Sequence, residues 1–441
     1  MTSTENSRPN IVFLIADDHR HSAINALGDA QVDTPNLDSL VHEGTSLANM
    51  YIMGSTVGAV CMPSRGMMLT GRTLWRIDEP DLGDWSLWPQ MLRESGYHTY
   101  GIGKWHNERE SFSRCFADGA ETFFGGMSDH YAVPVHDYDP SGKFPEENAR
   151  VGQGFSTDIF AQAAVEFLHQ YSGQEPFCLY VAFTAPHDPR TPPREFAYNP
   201  KDIELPENFL SQHPFDNGEM DVRDELLANY PRTDESIKQH LADYYGMISH
   251  LDSAIGKILN TLDETGVSGN TLVVYTADHG LAVGQHGLLG KQNLYEHSIK
   301  VPFLMRGPQV PTNVQSDAFC YLYDLAPTLC DMLGMPIPSS FEGKSFWSTV
   351  IDGDSHRNTV FSAYKNKHRS IRDNRYKLIQ YYLGDEIIKQ MFDLLSDPLE
   401  IDNLIDNGKD HPLISSMELK MNELQTSFSD PIAEENNSEL L

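Results

Sequence analysis

Short, almost wholly apolar runs punctuate the chain at Asn10–Ala16, Leu47–Ile52, His98–Ile102, Phe177–Thr184, Thr271–Thr276 and Phe303–Arg306. Runs of this length without alternation are the pattern of strands buried on both faces, as in a mostly parallel sheet. Between them the spacing turns helical. Thr34 caps a helix through His42, Cys61–Arg72 opens after a Gly/Ser/Thr-rich lead-in, and Trp88–Glu94 is stopped by Gly96. Ser156–Tyr171 and Leu322–Leu333 read as helices, and Ile237–Glu264 carries apolar residues at Leu241, Tyr245, Ile248, Leu251, Ile255 and Leu259. Strand and helix in alternation predict an α/β fold, a large mixed, mostly parallel sheet sandwiched by helices. From Ser339 on the pattern changes. Val360–Tyr364, His368–Arg372, Tyr376–Tyr382 and Gln390–Leu394 alternate with period two, and Pro412 opens a last helix over Leu413–Phe428. This predicts a small four-stranded antiparallel sheet packed with one helix. The expected division is a main unit over residues 1–354 and a C-terminal subdomain over 355–441. Two stretches lack any period: 107–150, read as an excursion over one sheet edge, and 190–235, read as a surface flap.

Charge narrows the partners. The formal net charge is −31, which argues against nucleic acid or an anionic membrane surface. An anionic small molecule would need a locally basic pocket. The five cysteines, Cys61, Cys115, Cys178, Cys320 and Cys330, show neither metal-ligand spacing nor a disulfide framework. The N-terminus lacks the basic and apolar regions of a secretory leader, and no apolar run is long enough to span a membrane. The expectation is a soluble, cytoplasmic protein, or a periplasmic one if a leader has been removed, with monomer and dimer both open.

The strand ends carry the candidate chemistry. Asn10–Ala16 ends in Asp17-Asp18, His98–Ile102 in Gly103-Lys104-Trp105-His106, Phe177–Thr184 in His187, and Thr271–Thr276 in Asp278-His279. In a parallel sheet such ends share one edge, where ligands bind. Each feature alone has a plain structural reading: a solvated turn, a surface lysine, a buried structural Cys. Together they place carboxylates beside cations, the composition of a metal and anion site. The carboxylates are hard oxygen donors suited to Ca²⁺ or Mg²⁺. Cys61 at a helix start, with Arg65 one turn on, would sit where backbone N–H groups favour an anion. His213 and Arg223 lie in the 190–235 stretch and read as solvated loop residues.

Cys61-Met62-Pro63-Ser64-Arg65, followed by Leu69-Thr70-Gly71-Arg72, resembles the signature of the type I sulfatases of the alkaline phosphatase superfamily. Asp17-Asp18, Gly103-Lys104-Trp105-His106, Asp278-His279-Gly280, Gly290-Lys291 with Tyr295-Glu296, and Phe392-Asp393-Leu394 near Asp397-Pro398 extend the resemblance to about Leu404. The resemblance implies an alkaline-phosphatase-like catalytic domain in which a maturation enzyme oxidises Cys61 to formylglycine. It implies a cation, Ca²⁺ before Mg²⁺, held by Asp17, Asp18, Asp278, His279 and the modified Cys61. It further implies that one hydroxyl of the hydrated aldehyde attacks sulfur. Lys104 and Arg65 would stabilise that diol, Lys104 and Lys291 would bind sulfate oxygens, and His187 with Lys291 would protonate the leaving alcohol. His106 would take the proton of the second hydroxyl as sulfate is expelled. His279 stands where many members carry Asn, and Asn107-Glu108 replaces the family's usual Leu-Gly.

The implied activity is sulfuric ester hydrolysis, with sulfate removed from a mono- or short oligosaccharide, as in bacterial polysaccharide degradation. The alternatives are a choline sulfatase, a phosphonate monoester or phosphodiester hydrolase of the same superfamily, and a non-enzymatic sulfoglycan-binding protein. Cys61, Arg65, Lys104, His106, His187 and Lys291 are the expected catalytic set.

Overall fold

The computed structural model describes residues 8–77, 81–172, 174–405 and 412–433. At its centre the buried strands Thr271–Ala277, Asn10–Ala16, Phe177–Ala182 and His98–Lys104 lie side by side and parallel. Side chains of Asn10–Ala16 are shielded on both faces, which is why its sequence shows no alternation. Further strands complete a nine-stranded sheet. Asp118–Phe123 closes the edge beyond His98–Lys104, parallel to it. On the other side Phe303–Arg306 runs antiparallel to both Thr271–Ala277 and Thr45–Tyr51, Lys300–Val301 runs antiparallel to Thr45–Tyr51, and Val314–Tyr321 pairs parallel with that same strand. The sheet is therefore mixed and mostly parallel. Helices Ser156–Gln170 and Asp234–Glu264 pack on each other beside it. Among the described residues, no helix is long and apolar enough to cross a membrane.

The second sheet contains the expected antiparallel strands, Thr359–Tyr364, His368–Asp373, Tyr376–Leu383 and Glu386–Asp393. It has five strands, not four, because Gly54–Ser55 adds in parallel to Thr359–Tyr364. Two residues are too short to leave a periodic signal. Their pairing matters, since it anchors the turn that leads into Cys61 to the C-terminal sheet.

Two segments depart from expectation. Asp118–Phe123, in the 107–150 excursion, is an edge strand and not merely a cover. The 190–235 stretch is not a solvated flap: Asn208, His213, Asn217, Glu219, Asp224, Glu225 and Arg232 are all buried in it. Its burial rests on ion pairs and hydrogen bonds, which produce no hydrophobic period.

His368 gives the fold a pH dependence. Its ring is fully buried, with Nε2 facing the Asn217 carbonyl at 2.7 Å. Burial pulls the imidazole from 6.5 down to about 4. Between these values the unfolded chain takes up a proton that the folded state refuses, so stability rises with pH across that window. Moving from pH 7 to pH 5 should therefore cost about 2 kcal/mol through this one group. In denaturant titrations at those two pH values, His368→Gln should shrink the difference by that amount. An unchanged difference would count against the assignment.

Candidate active site

Four parallel strands deliver their C-terminal ends to one place. Asp17 and Asp18 follow Asn10–Ala16, Lys104 ends His98–Lys104, His187 follows Phe177–Ala182, and Asp278 and His279 follow Thr271–Ala277. Gly103 makes the approach possible. It holds φ +83°, and a Cβ there would fall on the Ala182 carbonyl oxygen of the neighbouring strand. Asp18 and His106 both adopt φ +70°, a left-handed backbone that costs non-glycine residues on the order of 1 kcal/mol each. Such strain past two strand ends on the same sheet edge points to side chains aimed for function.

Cys61 is the first residue of helix Cys61–Thr70, whose C-cap is Gly71 in the left-handed conformation. The cysteine is buried, with Sγ 3.1 Å from His279 Nε2 and 3.5 Å from Lys291 Nζ. One ligand atom from each of Asp17, Asp18, Cys61 and His279 lies within 4.8 Å of the others. Asp278 stands just outside that group. Its Oδ2 accepts from Arg65 Nε at 2.9 Å, and its Oδ1 accepts from the Asp18 and His279 amides at 3.2 and 3.0 Å. Ser64 Oγ donates to the Asp278 carbonyl at 2.5 Å, so the helix carrying Cys61 is bolted to the strand end beside it.

The cations close around this group. Lys104 Nζ pairs with Asp17 and donates to the Gly126 carbonyl at 2.6 Å. Lys291 Nζ reaches Asp18 Oδ1 at 2.8 Å and His187 Nε2 at 3.1 Å. His187 Nδ1 faces the Asp188 carbonyl at 2.8 Å, and His130 Nε2 meets the His187 carbonyl at 2.9 Å. Arg65 spans Asp278 and the Lys104 carbonyl, the latter at 3.1 Å, and so ties two strand ends together.

Electrostatics follow from burial and neighbours. Burial opposes the charge of Asp18, but His187, Lys291 and His279 outweigh it and hold the carboxyl far down. Burial, then the facing Asp278, push Asp17 up against the pull of Lys104. Burial would also raise the Cys61 thiol, yet Lys104, Lys291 and His279 bring it well below its ordinary value. His279 and His187 are each lifted to about 9: burial works against this, while Asp278 acts on the first and Asp18 on the second. Burial and Lys104 take His106 down to about 4, leaving it a neutral base near pH 7.

A hard divalent cation fits this donor set. Asp17 Oδ1 is buried without a hydrogen-bond partner, an expensive state for a carboxylate oxygen. Asp17 belongs to the close group with Asp18, Cys61 and His279. Carboxylate oxygens together with an imidazole supply the donor types such ions take.

The residues expected from the sequence to be catalytic or metal-binding, Asp17, Asp18, Cys61, Arg65, Lys104, His106, His187, Asp278, His279 and Lys291, come together here. Tyr295 and Glu296 serve elsewhere: Tyr295 bonds Gln390 and Glu296 pairs with Lys377, linking this loop to the C-terminal sheet. His213 likewise turns away from the site, to Tyr295 and the Phe215 carbonyl. Arg223 does reach it, through Asp188. Sequence reading overlooked His130 and Glu225. Both sit in aperiodic stretches, and their only signal is an unusual density of titratable residues.

A carboxylate cluster and a ring of cations around a helix-borne residue, at the C-terminal edge of a parallel sheet, define a hydrolase of anionic esters. The chain belongs to the sulfatase family, whose model matches residues 9–335, and it is an enzyme acting on sulfate esters. A second model, N-sulphoglucosamine sulphohydrolase, C-terminal, matches residues 284–427. The chain is 27% identical over 486 residues to an N-acetylglucosamine-6-O-sulfatase of Bacteroides thetaiotaomicron, covering 91% of this chain and 83% of that one. It is 27% identical over 442 residues to a choline-sulfatase of Rhizobium meliloti, covering 91% and 83%. Among solved structures, one described as a complex with its substrate D-glucosamine-2-N,6-O-disulfate superposes with a TM-score of 0.81 at 25% identity. That match covers 96% of this chain and 99% of the other.

Proposed function

We propose that the enzyme removes sulfate from a sulfated mono- or short oligosaccharide, using a formylglycine made from Cys61 and a divalent cation, Ca²⁺ in preference to Mg²⁺. The observation that carries this reading is the convergence on Cys61 of the Asp17, Asp18 and His279 donors with Lys104, Lys291, His106 and His187. A saccharide substrate is supported by the disulfated glucosamine named for the superposing structure and by the N-acetylglucosamine-6-O-sulfatase relative.

Asp17, Asp18, Asp278, His279 and the modified Cys61 would hold the cation, and Asp278 also steadies Asp18 and His279 through their amides. When bound, the cation offsets the buried carboxylates and polarises a sulfate oxygen. The hydrated aldehyde supplies one hydroxyl to attack sulfur and a second whose loss of a proton lets sulfate leave without water attacking sulfur. Lys104 and Lys291 bind sulfate oxygens and stabilise the charge that builds on them. Arg65, with Nε and Nη1 engaged by Asp278 and the Lys104 carbonyl, acts by holding those two in place. His187 and Lys291 meet the leaving oxygen, and His187 carries the proton it needs. His106, held neutral, accepts the proton of the second hydroxyl.

The test has two arms. Peptide mass spectrometry of active protein matured in its source should show the Cys61 peptide about 18 Da lighter, the thiol-to-aldehyde change on which this nucleophile depends. Turnover on a panel of sulfated sugars, choline sulfate, and aryl sulfate and phosphate esters should favour a sugar sulfate. Active enzyme carrying only unmodified Cys61 overturns the nucleophile. A large preference for phosphate or choline esters overturns the substrate class.

A further inference from the structure

Three consecutive residues of the 190–235 stretch each grip a neighbour of a leaving-group residue. Arg223 donates from Nη1 and Nη2 to the Asp188 carboxylate at 2.5 and 2.9 Å, and from Nη2 to Asp224 at 2.6 Å. Asp188 follows His187 directly, and its Oδ1 lies 3.3 Å from His187 Nδ1. Asp224 accepts from Gln292 Nε2 at 2.9 Å, and Gln292 Oε1 accepts from the Lys291 amide at 3.1 Å. The same Gln292 nitrogen reaches the Gly58 carbonyl at 3.4 Å, in the turn before Cys61. Glu225 is buried and accepts from the Leu289 and Gly290 amides at 3.0 and 2.8 Å. Arg232 and Tyr230 hold it in turn, at 2.6 and 3.0 Å. A Cβ at Gly290 would stand 2.5 Å from Gln292 Oε1 and 2.9 Å from Glu225 Oε1, so a glycine is what lets these groups close on the loop.

The consequence is geometric. His187 and Lys291 come from loops more than a hundred residues apart in sequence, yet Nε2 and Nζ are held 3.1 Å apart. We propose that Arg223-Asp224-Glu225 is a positioning clamp that fixes His187 and Lys291 relative to one another and to the Cys61 turn, so that both meet the leaving oxygen. This rests on the leaving-group role given to the pair above. The clamp touches neither sulfur nor nucleophile: through Asp188 and His187 it acts on the departure of the alcohol, and through the loop of Lys291, which also binds sulfate oxygens, it acts on every sulfate ester.

Leaving groups separate that effect from a general structural one. A nitrophenolate departs without a proton, whereas a sugar alcohol needs one, and misplacing an acid matters in proportion. The test uses matured Glu225→Gln and Arg223→Gln on nitrophenyl sulfate and on the sugar sulfate that wild type turns over fastest. We expect Arg223→Gln to lower kcat on the sugar ester about 30-fold or more, with kcat on the aryl ester and both KM values changing less than about threefold, and Glu225→Gln to lower turnover of both esters, the sugar ester about tenfold further. Arg223 is half exposed, so its variant reports even if Glu225→Gln does not fold. Equal losses on the two esters in folded Arg223→Gln, or no loss on either ester in either variant, overturn the clamp alone. A wild type inactive on every sulfate ester overturns the clamp together with the reaction it serves.

Discussion

Cys61→Ala should give a folded protein whose sulfate-ester turnover has dropped by about 10⁵-fold or more, a barrier increase on the order of 7 kcal/mol. Among the described residues of the pocket, Cys61 is the side chain proposed to carry the attacking group, a hydroxyl of its hydrated aldehyde. Lys104, Lys291, His106 and His187 surround it, but each is assigned to bind charge or move a proton and none replaces a nucleophile. Folding should survive, because Val60, Pro63 and Ser64 keep the helix start and Ser64 still bonds the Asp278 carbonyl. The cations proposed to bind sulfate, Lys104 and Lys291, also remain, so calorimetry should find the sugar ester bound with affinity near the wild-type KM. Cys61→Ser sharpens the case: a hydroxyl can accept sulfate but cannot collapse to an aldehyde, so at most one turnover per site is expected in a rapid-mixing experiment. Cys61→Ala turnover within tenfold of wild type would remove Cys61 from the mechanism.

Much of this site was legible because the residues that build it end strands that announce themselves. Asn10–Ala16 and Thr271–Ala277 are buried along their whole length, so their apolar runs locate Asp17, Asp18, Asp278 and His279 to the residue. The topology then does the rest, since parallel neighbours must finish on the same edge. Edge strands are different. Val314–Tyr321 is exposed over much of its first half, and Asp118–Phe123 mixes exposed and buried positions; neither has a run or a clean alternation to read. The 190–235 stretch hid its role for another reason. Glu225 and Arg232 bury each other, and the pair reads in sequence like any solvated charges. Arg65 shows a third limit. Its place one turn after Cys61 could be counted from the sequence, but its engagement with Asp278 and the Lys104 carbonyl depends on how three elements meet in space.

Stripping the enzyme of divalent cations with a chelator should abolish turnover and lower the melting temperature by roughly 5 °C, and Ca²⁺ should restore both. The physical reason is charge in a place without water. Asp17, Asp18 and Asp278 are each at most 1% exposed, and burying carboxylates costs several kcal/mol apiece unless they are paired. Lys104, Lys291 and Arg65 pair with one oxygen each, which leaves Asp17 Oδ1 without a partner. An ion binding only the folded state contributes RT ln(1 + [L]/Kd), about 4 kcal/mol at a thousandfold excess over Kd, and for a chain this large that corresponds to a shift of several degrees. Mg²⁺ should restore less than Ca²⁺, because it demands near-octahedral geometry and gives up water reluctantly. Asp17→Asn separates the two contributions. It removes a carboxylate whose Oδ1 has no partner while Oδ2 is held by Lys104, so the variant should lose turnover while its melting temperature responds much less to Ca²⁺. Full activity after exhaustive chelation, or an Asp17→Asn variant that Ca²⁺ stabilises as strongly as wild type, would show that this cluster holds no ion the enzyme depends on.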